Sequence, residues 1–416
     1  MPADQLEVWL DAGIVDVATQ VGKLYNDRGQ IRFEYAAAWI NHPHAFALDP
    51  SLGLGSGSYF PRAEDGNFGI FLDSCPDRWG QTLMRRREAL DAKDAGRPQK
   101  TLHAWDFLLG VQDETRQGAL RFRDPAQGVF QAAHPLAAPP FASLRTLEAV
   151  ALELTAKKID DLGALRKWLS VLVAPGASLG GARPKANYRE TDGTLWIAKF
   201  PSREDDRDAG AWEWVAHQLA AEAKIAVPAA KMLRFKNPFH TFCVQRFDRA
   251  AGRRVFYASA MTLLGASQSE GRSYLDIAEF IQKHAADQRR IANDLEQLFR
   301  RVVFNVAVGN RDDHLRNHGF VLTKSGWALS KVFDVNPSID KTDHVLNIDA
   351  ADNRPSMQSV FDTAHYYGLS DARAEKMISE ILGVTSQWRK VAKNAGLSRA
   401  DIELTAVAFE GDHLRF

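Results

Sequence analysis

Cysteine is nearly absent: Cys75 and Cys243 are the only two in 416 residues. They lie too far apart for a metal or redox spacing, which suits a reducing cytoplasm. Net charge is missing as well, since 52 basic and 52 acidic side chains cancel, so no global field draws the chain onto nucleic acid by itself. The sequence has no apolar run of about 18 residues that would cross a bilayer, and no basic-then-apolar leader. Internal repeats and low-complexity tracts are lacking too. A soluble, cytoplasmic protein without a membrane role is expected. Apolar residues are plentiful at 45%, enough for a sizeable core and two or three domains.

Local signals divide the chain into three regions. Val21–Tyr25 and Gln30–Tyr35 flank Asn26-Asp27-Arg28-Gly29, a hairpin signal at the head of a β-rich stretch. Arg78–Asp94 reads as a helix stopped by Gly96 and Pro98, and Pro135, Pro139 and Pro140 read as a linker. After a helical segment from Leu147 to Lys157 comes a glycine-rich connection, Pro175 to Lys185, that opens an α/β lobe ending near Arg249. The period then becomes 3.6: Ile291, Leu295, Leu298, Phe299, Val302, Val303 and Val306 line one helix face. Asp371–Leu382 and Ser398–Phe409 read as closing helices. The basic clusters Arg85-Arg86-Arg87, Arg289-Arg290 and Arg300-Arg301 read as solvated helix faces. Regions 1–140, 141–250 and 251–416 follow.

The helix with that apolar face runs into Arg311-Asp312-Asp313-His314-Leu315-Arg316-Asn317, and Val332-Phe333-Asp334-Val335 follows. Phosphoryl transfer from ATP needs a carboxylate to take the acceptor hydroxyl proton, and an amide and a second carboxylate to hold Mg²⁺ against the phosphates. Asp312, Asn317 and Asp334 have the spacing that kinases use for these parts. Taken alone the pattern also fits a polar turn followed by a strand-end Asp.

Upstream, Thr194–Phe200 reads as a strand with Lys199 near its end, a solvated edge lysine or an amine for the phosphates. The glycine-rich connection, with Gly180 and Gly181, lacks both G-x-x-x-x-G-K-[ST] and G-x-G-x-x-G, yet its backbone N–H groups can cradle phosphate oxygens. Glu213, in a helical stretch from Ala209 to Ala223, could orient Lys199 or be a surface carboxylate. Phe242–Arg249 reads as a strand running into a charged turn. Gln245 and Phe247 would meet adenine there and Asp248 a ribose, unless the segment is a plain strand end. His314 could contact phosphates or serve as a structural hydrogen bonder.

These segments together resemble the HipA family of serine/threonine kinases, the toxins of bacterial type II toxin–antitoxin modules. The resemblance rests on Ser178–Lys185, Ala198-Lys199-Phe200-Pro201, Gln245–Arg249, Asp312–Asn317 and Phe333-Asp334-Val335. Gly22–Tyr25, Phe33-Glu34-Tyr35 and Cys75–Gly80 extend it towards the N-terminus. It spans roughly residues 20 to 340 and departs at Arg183-Pro184, where relatives commonly carry Gln-Glu.

The resemblance implies an α+β, two-lobe protein-kinase-like fold with an N-terminal β-rich subdomain and a mainly helical C-terminal lobe. It implies Asp312 as base, Asn317 and Asp334 as Mg²⁺ ligands, Lys199 on the ATP phosphates, and Ser178 as an inhibitory autophosphorylation site. A phosphate there adds about −1.5 to −2 charges to a loop that must wrap ATP; a serine that merely hydrogen-bonds its own loop is the alternative. The implied substrate is a translation component such as an aminoacyl-tRNA synthetase. The implied partner is a small DNA-binding antitoxin of the HipB type, with DNA reached only through it. A small-molecule phosphotransferase would use the same Asp-Asn-Asp set, and a non-catalytic partner of a DNA-binding repressor is a third reading.

Overall fold

The computed structural model of the chain describes residues 4–132, 138–155, 183–285 and 287–416. They form two compact units, Met1–Glu204 with Gln245–Ala258, and Asp205–Val244 with Ser259–Phe416. Both strands and helices build the chain, so its class is α+β. Ser178, Gly180 and Gly181 lie outside the described residues.

The first unit carries a five-stranded sheet in which Gln5–Leu10 is flanked by Thr19–Asp27 and Leu120–Arg123, with Gln30–Tyr35 and then Ser58–Tyr59 beyond the former. All its pairings are antiparallel. Alternation along Gln5–Leu10 sends Leu6, Val8 and Leu10 into the core, as a strand with one buried face requires. The expected hairpin forms: Asp27 pairs with Gln30, leaving Arg28 and Gly29 as a two-residue turn. Both adopt positive φ, 56° and 95°, the backbone whose twist matches the flanking strands. The Asn26 side chain accepts from the Gly29 N–H at 2.9 Å.

Helix Arg78–Asp94 begins at Asp77, whose carboxylate accepts from the Gly80 N–H at 2.9 Å. Its second oxygen pairs with the ammonium of Lys185 at 2.7 Å, and both side chains are almost wholly buried. Lys185 opens strand Lys185–Arg189, antiparallel to Leu195–Lys199, in a register that sets it opposite Lys199. Every residue of Leu195–Lys199 is buried, so Lys199 is not a solvated edge lysine. Breaking a buried ion pair by removing one partner leaves a charge uncompensated and costs about 3–5 kcal/mol. Lys185→Met should therefore lose stability of about that size in urea unfolding. Adding Asp77→Asn, which keeps the helix cap, should recover a large part of the loss; an additive double variant would refute the pairing.

The second unit is built around helix Gln288–Ala307, capped by Asp287, which accepts from the Arg290 N–H at 2.8 Å. The expected apolar face is buried from Leu295 through Val306, and helices Tyr274–His284 and Asp371–Thr385 pack on it. The closing helices are Asp371–Thr385 and Arg399–Phe409, with Trp388–Asn394 between them. Trp388 stacks on Phe409 at 4.5 Å, and Trp212 of helix Ala209–Glu222 lies against both rings. One of the three short basic clusters departs from the solvated reading: Arg300 and Arg301 are buried, because their helix faces the core on more than one side.

Candidate active site

Helix Gln288–Ala307 ends at Gly309, whose φ is +61°. A Cβ here would stand 2.5 Å from the Ala408 carbonyl oxygen, so glycine meets both the left-handed backbone and the close approach. The loop that follows turns through Leu315–Asn317 and enters the hairpin Gly319–Thr323/Gly326–Leu329. Within that loop Asp312 and Asp313 point to different surroundings. Asp312 is the exposed one, its side chain 62% accessible and touching the Lys341 ammonium.

Asp313 is buried, and its Oδ2 accepts from the Tyr274 hydroxyl at 2.7 Å, from Asn305 Nδ2 at 2.6 Å and from His318 Nε2 at 2.7 Å. Burial alone would raise its pKa. The net shift is downward, because the charge and hydrogen bond of His318 and the Tyr274 hydrogen bond favour the carboxylate. Burial and the adjacent Asp313 push the Tyr274 hydroxyl well above its ordinary value. Arg301, also fully buried, adds positive field at Asp313, while its own pKa falls to about 10 through burial.

Asn317 is 3% exposed. Its Nδ2 donates to the Asp312 carbonyl at 3.2 Å, and its Oδ1 is buried with no hydrogen-bond partner. A buried, unmatched amide oxygen is costly unless something else meets it. Asp334 was expected at a strand end. It lies instead beyond strand Gly326–Leu329, in irregular chain with φ +58°, between the buried Val332 and Val335. Aspartate tolerates the left-handed region better than most residues, at a strain of about 1–3 kcal/mol that the surroundings must hold.

Hydrogen bonds run from one acid to the other. Asn305, which donates to Asp313, accepts at Oδ1 from Asn310 at 3.0 Å. The Asn336 N–H donates to Asn310 Oδ1 at 3.4 Å, and Asn336 Nδ2 donates to Asp334 Oδ1 at 3.4 Å. Arg311 ties the same two segments again, its N–H to Ser338 Oγ at 3.3 Å and its guanidinium to the Lys341 carbonyl at 2.7 Å. Asp312, Asn317 and Asp334 thus belong to one hydrogen-bonded assembly of the second unit. Among the described residues no group of three or more His, Cys, Asp and Glu could hold a metal. A Mg²⁺ site needs no such group, because one or two protein oxygens plus phosphates and water complete its shell. Asn317 Oδ1 and the Asp334 carboxylate fit that pattern.

Other expected residues fall as follows. His314 begins the turn, and its Nδ1 is buried without a partner. Glu213 is buried on helix Ala209–Glu222 of the second unit, which removes the surface-carboxylate alternative. Lys199 ends a buried strand of the first unit. Gln245 and Phe247 are half-buried, and the Phe247 ring lies 5.9 Å from that of Tyr257. Asp248 is buried between them and Arg249. Both of its oxygens accept from Arg246, at 2.8 and 2.5 Å, and Oδ2 also accepts from the Gly118 N–H and from Arg249, each at 2.8 Å. Burial opposes ionisation, yet the two arginines hold its pKa far below the usual carboxylate range. Its carboxylate is engaged in fixing this segment rather than open to a ribose. Asp313, Asn305, Asn310, Tyr274, His318 and Lys341 were missed from the sequence; Asn305, a lone amide within Val302–Ala307, was the signal available.

His344 is buried beside this assembly, against the backbone of Asn310. Burial lowers its pKa from 6.5 to about 4. The unfolded chain therefore binds a proton between those values that the folded chain refuses, so stability falls as pH drops from 6.5 towards 4, by at most on the order of 3 kcal/mol. Urea unfolding at pH 7 and pH 5 should show this slope in the native chain and a flatter one in His344→Leu. Equal slopes would discharge His344 from that role.

The architecture is an α+β chain with an exposed loop aspartate, an amide five positions on, and a following aspartate in left-handed backbone. Family models match it twice: the HipA N-terminal domain over residues 6–102 and the HipA-like C-terminal domain over residues 177–388. The chain belongs to the HipA family. Among solved structures, HipA of Shewanella oneidensis, determined with HipB and operator DNA, is similar at a TM-score of 0.66 with 17% identity, covering 97% of this chain and 95% of that one. The two share a fold. A putative kinase of Haemophilus influenzae is 31% identical over 182 residues, 38% of this chain and 52% of the relative, so the chain spans about half the length of that curated relative. CtkA, a proinflammatory kinase of Helicobacter pylori, is more distant, with a TM-score of 0.43 and 14% identity over 55% of this chain and 88% of that one.

Proposed function

We propose that the chain is an ATP- and Mg²⁺-dependent serine/threonine protein kinase of the HipA type. The observation that carries this reading is the pairing of the exposed Asp312 carboxylate with the buried, unmatched Oδ1 of Asn317 on one loop. Mg²⁺, held by Asn317 and Asp334, would neutralise charge on the nucleotide phosphates. Asp312 would accept the proton of the attacking hydroxyl, and its exposure suits an acceptor carried on a protein. Lys199 would meet the ATP phosphates, Glu213 would orient that lysine, and Gly180 and Gly181 would cradle the phosphates from the glycine-rich connection. Gln245 and Phe247 would offer backbone groups to adenine, and His314 would approach the phosphates. Catalysis would be mainly positioning and electrostatics.

In this reading the kinase slows growth by phosphorylating a translation component such as an aminoacyl-tRNA synthetase, and autophosphorylation of Ser178 switches it off. The HipB that accompanies the Shewanella HipA structure supports a small DNA-binding antitoxin as partner. Incubating the chain with γ-labelled ATP, Mg²⁺ and a cell extract should label protein serine or threonine. Asp312→Ala should cut that transfer by about 10²–10⁴-fold while nucleotide affinity stays unchanged. Label found on metabolites alone would favour a small-molecule phosphotransferase, and undiminished transfer by Asp312→Ala would remove that residue from its role.

A further inference from the structure

Lys341 has no place in the reading above, yet its ammonium touches Oδ1 of Asp312. Among the described residues it is the one side chain that forms a hydrogen bond or ion pair with this carboxylate. Side-chain exposures of 44% and 62% mark a pair open to solvent, and such pairs contribute little to folding because water and ions screen them. The backbone of residue 341 is nevertheless held firmly. Its carbonyl accepts from the guanidinium of Arg311, the residue before Asp312, at 2.7 Å, and the Arg311 N–H is fixed on Ser338 at 3.3 Å. The Arg311 carbonyl in turn accepts from the Val345 N–H at 3.2 Å. The chain thus anchors the lysine to the catalytic loop at its backbone and leaves only the side chain to swing between Asp312 and solvent.

We infer that Lys341 is a positioning residue for phosphoryl transfer, holding the Asp312 carboxylate and screening it from the incoming phosphoryl group. The inference rests on the kinase reading. In that reaction the acceptor O–H gives its proton to Asp312, and its oxygen forms a bond to the γ-phosphorus of ATP. The bond from that phosphorus to the β–γ bridging oxygen breaks, and ADP leaves with the electron pair. An anionic carboxylate and an anionic phosphoryl must therefore approach the same oxygen, and their repulsion opposes the reaction. An ammonium with three N–H donors can bond Asp312 with one and face the phosphoryl with the others. Its effect is greatest when the phosphoryl is in transit, so its loss should fall on kcat rather than on nucleotide binding.

The test uses the full chain, γ-labelled Mg·ATP with casein as acceptor probe, and a fluorescent ADP analogue for affinity. Lys341→Met should bind the analogue as the native chain does and melt at the same temperature, while its kcat falls on the order of 10²-fold. Lys341→Arg should regain part of the rate, and Lys341→Met added to Asp312→Ala should cost little more than Asp312→Ala alone. Unchanged kcat in Lys341→Met beside an active native chain overturns the inference and leaves the kinase reading intact. A fall in rate matched by weaker analogue binding, or no rescue by arginine, also overturns it. A native chain that labels neither casein nor extract protein overturns the kinase reading and the inference with it.

Discussion

One buried carboxylate governs the shape of the candidate site. Asp313 cannot be left ionised in the core without donors, and Tyr274, Asn305 and His318 supply them. Meeting those donors fixes the backbone at residue 313. The chain turns immediately before and after it, which leaves Asp312 facing solvent and Asn317 facing inward. Exposure at one residue is thus a product of burial at its neighbour. The same network continues through Asn305, Asn310 and Asn336 to Asp334, so the left-handed backbone there is held by the bonds that hold the loop.

Much of this was legible in the sequence where local chemistry decides. The Arg28-Gly29 hairpin, helix Arg78–Asp94, the strand ending at Lys199 and the apolar face of Gln288–Ala307 each follow from turn residues, caps and period, and the structure contains them. Asp312, Asn317 and Asp334 could be picked out because they follow the glycine-rich connection and Lys199 in order, not because their spacing is rare. Long-range polar pairing was not. Asp248 looked like a strand-end acid free for a ligand, and only the fold reveals that Arg246, Arg249 and Gly118 surround it. Arg300 and Arg301 looked like a solvated cluster, and their burial depends on neighbours far along the chain. Asp313 and Lys341 were passed over for the same reason: their partners lie on other segments.

The family match gives these local facts a common frame. Its two parts meet residues 6–102 and 177–388, and the Asp77–Lys185 pair joins one part to the other inside a single unit. Residue 77 belongs to the Cys75–Gly80 motif that carried the resemblance near the N-terminus. Capping a helix and meeting a buried ammonium are two demands on one short side chain, which explains why an acid stands there.

No motif was found in the last seventy or so residues, yet they reach the hinge of the loop. Ala408, on a helix anchored by the Trp388–Phe409 stack, leaves no room for a side chain at Gly309. The tail is therefore a brace set against the point where helix becomes loop. Any relative bearing a bulkier residue at that point must also retract or retilt its final helix, so the two positions are bound to drift as a couple. A tag or trimming at the far end that unseats the brace would be felt by the loop through contact alone, with every acid and amide still in the chain.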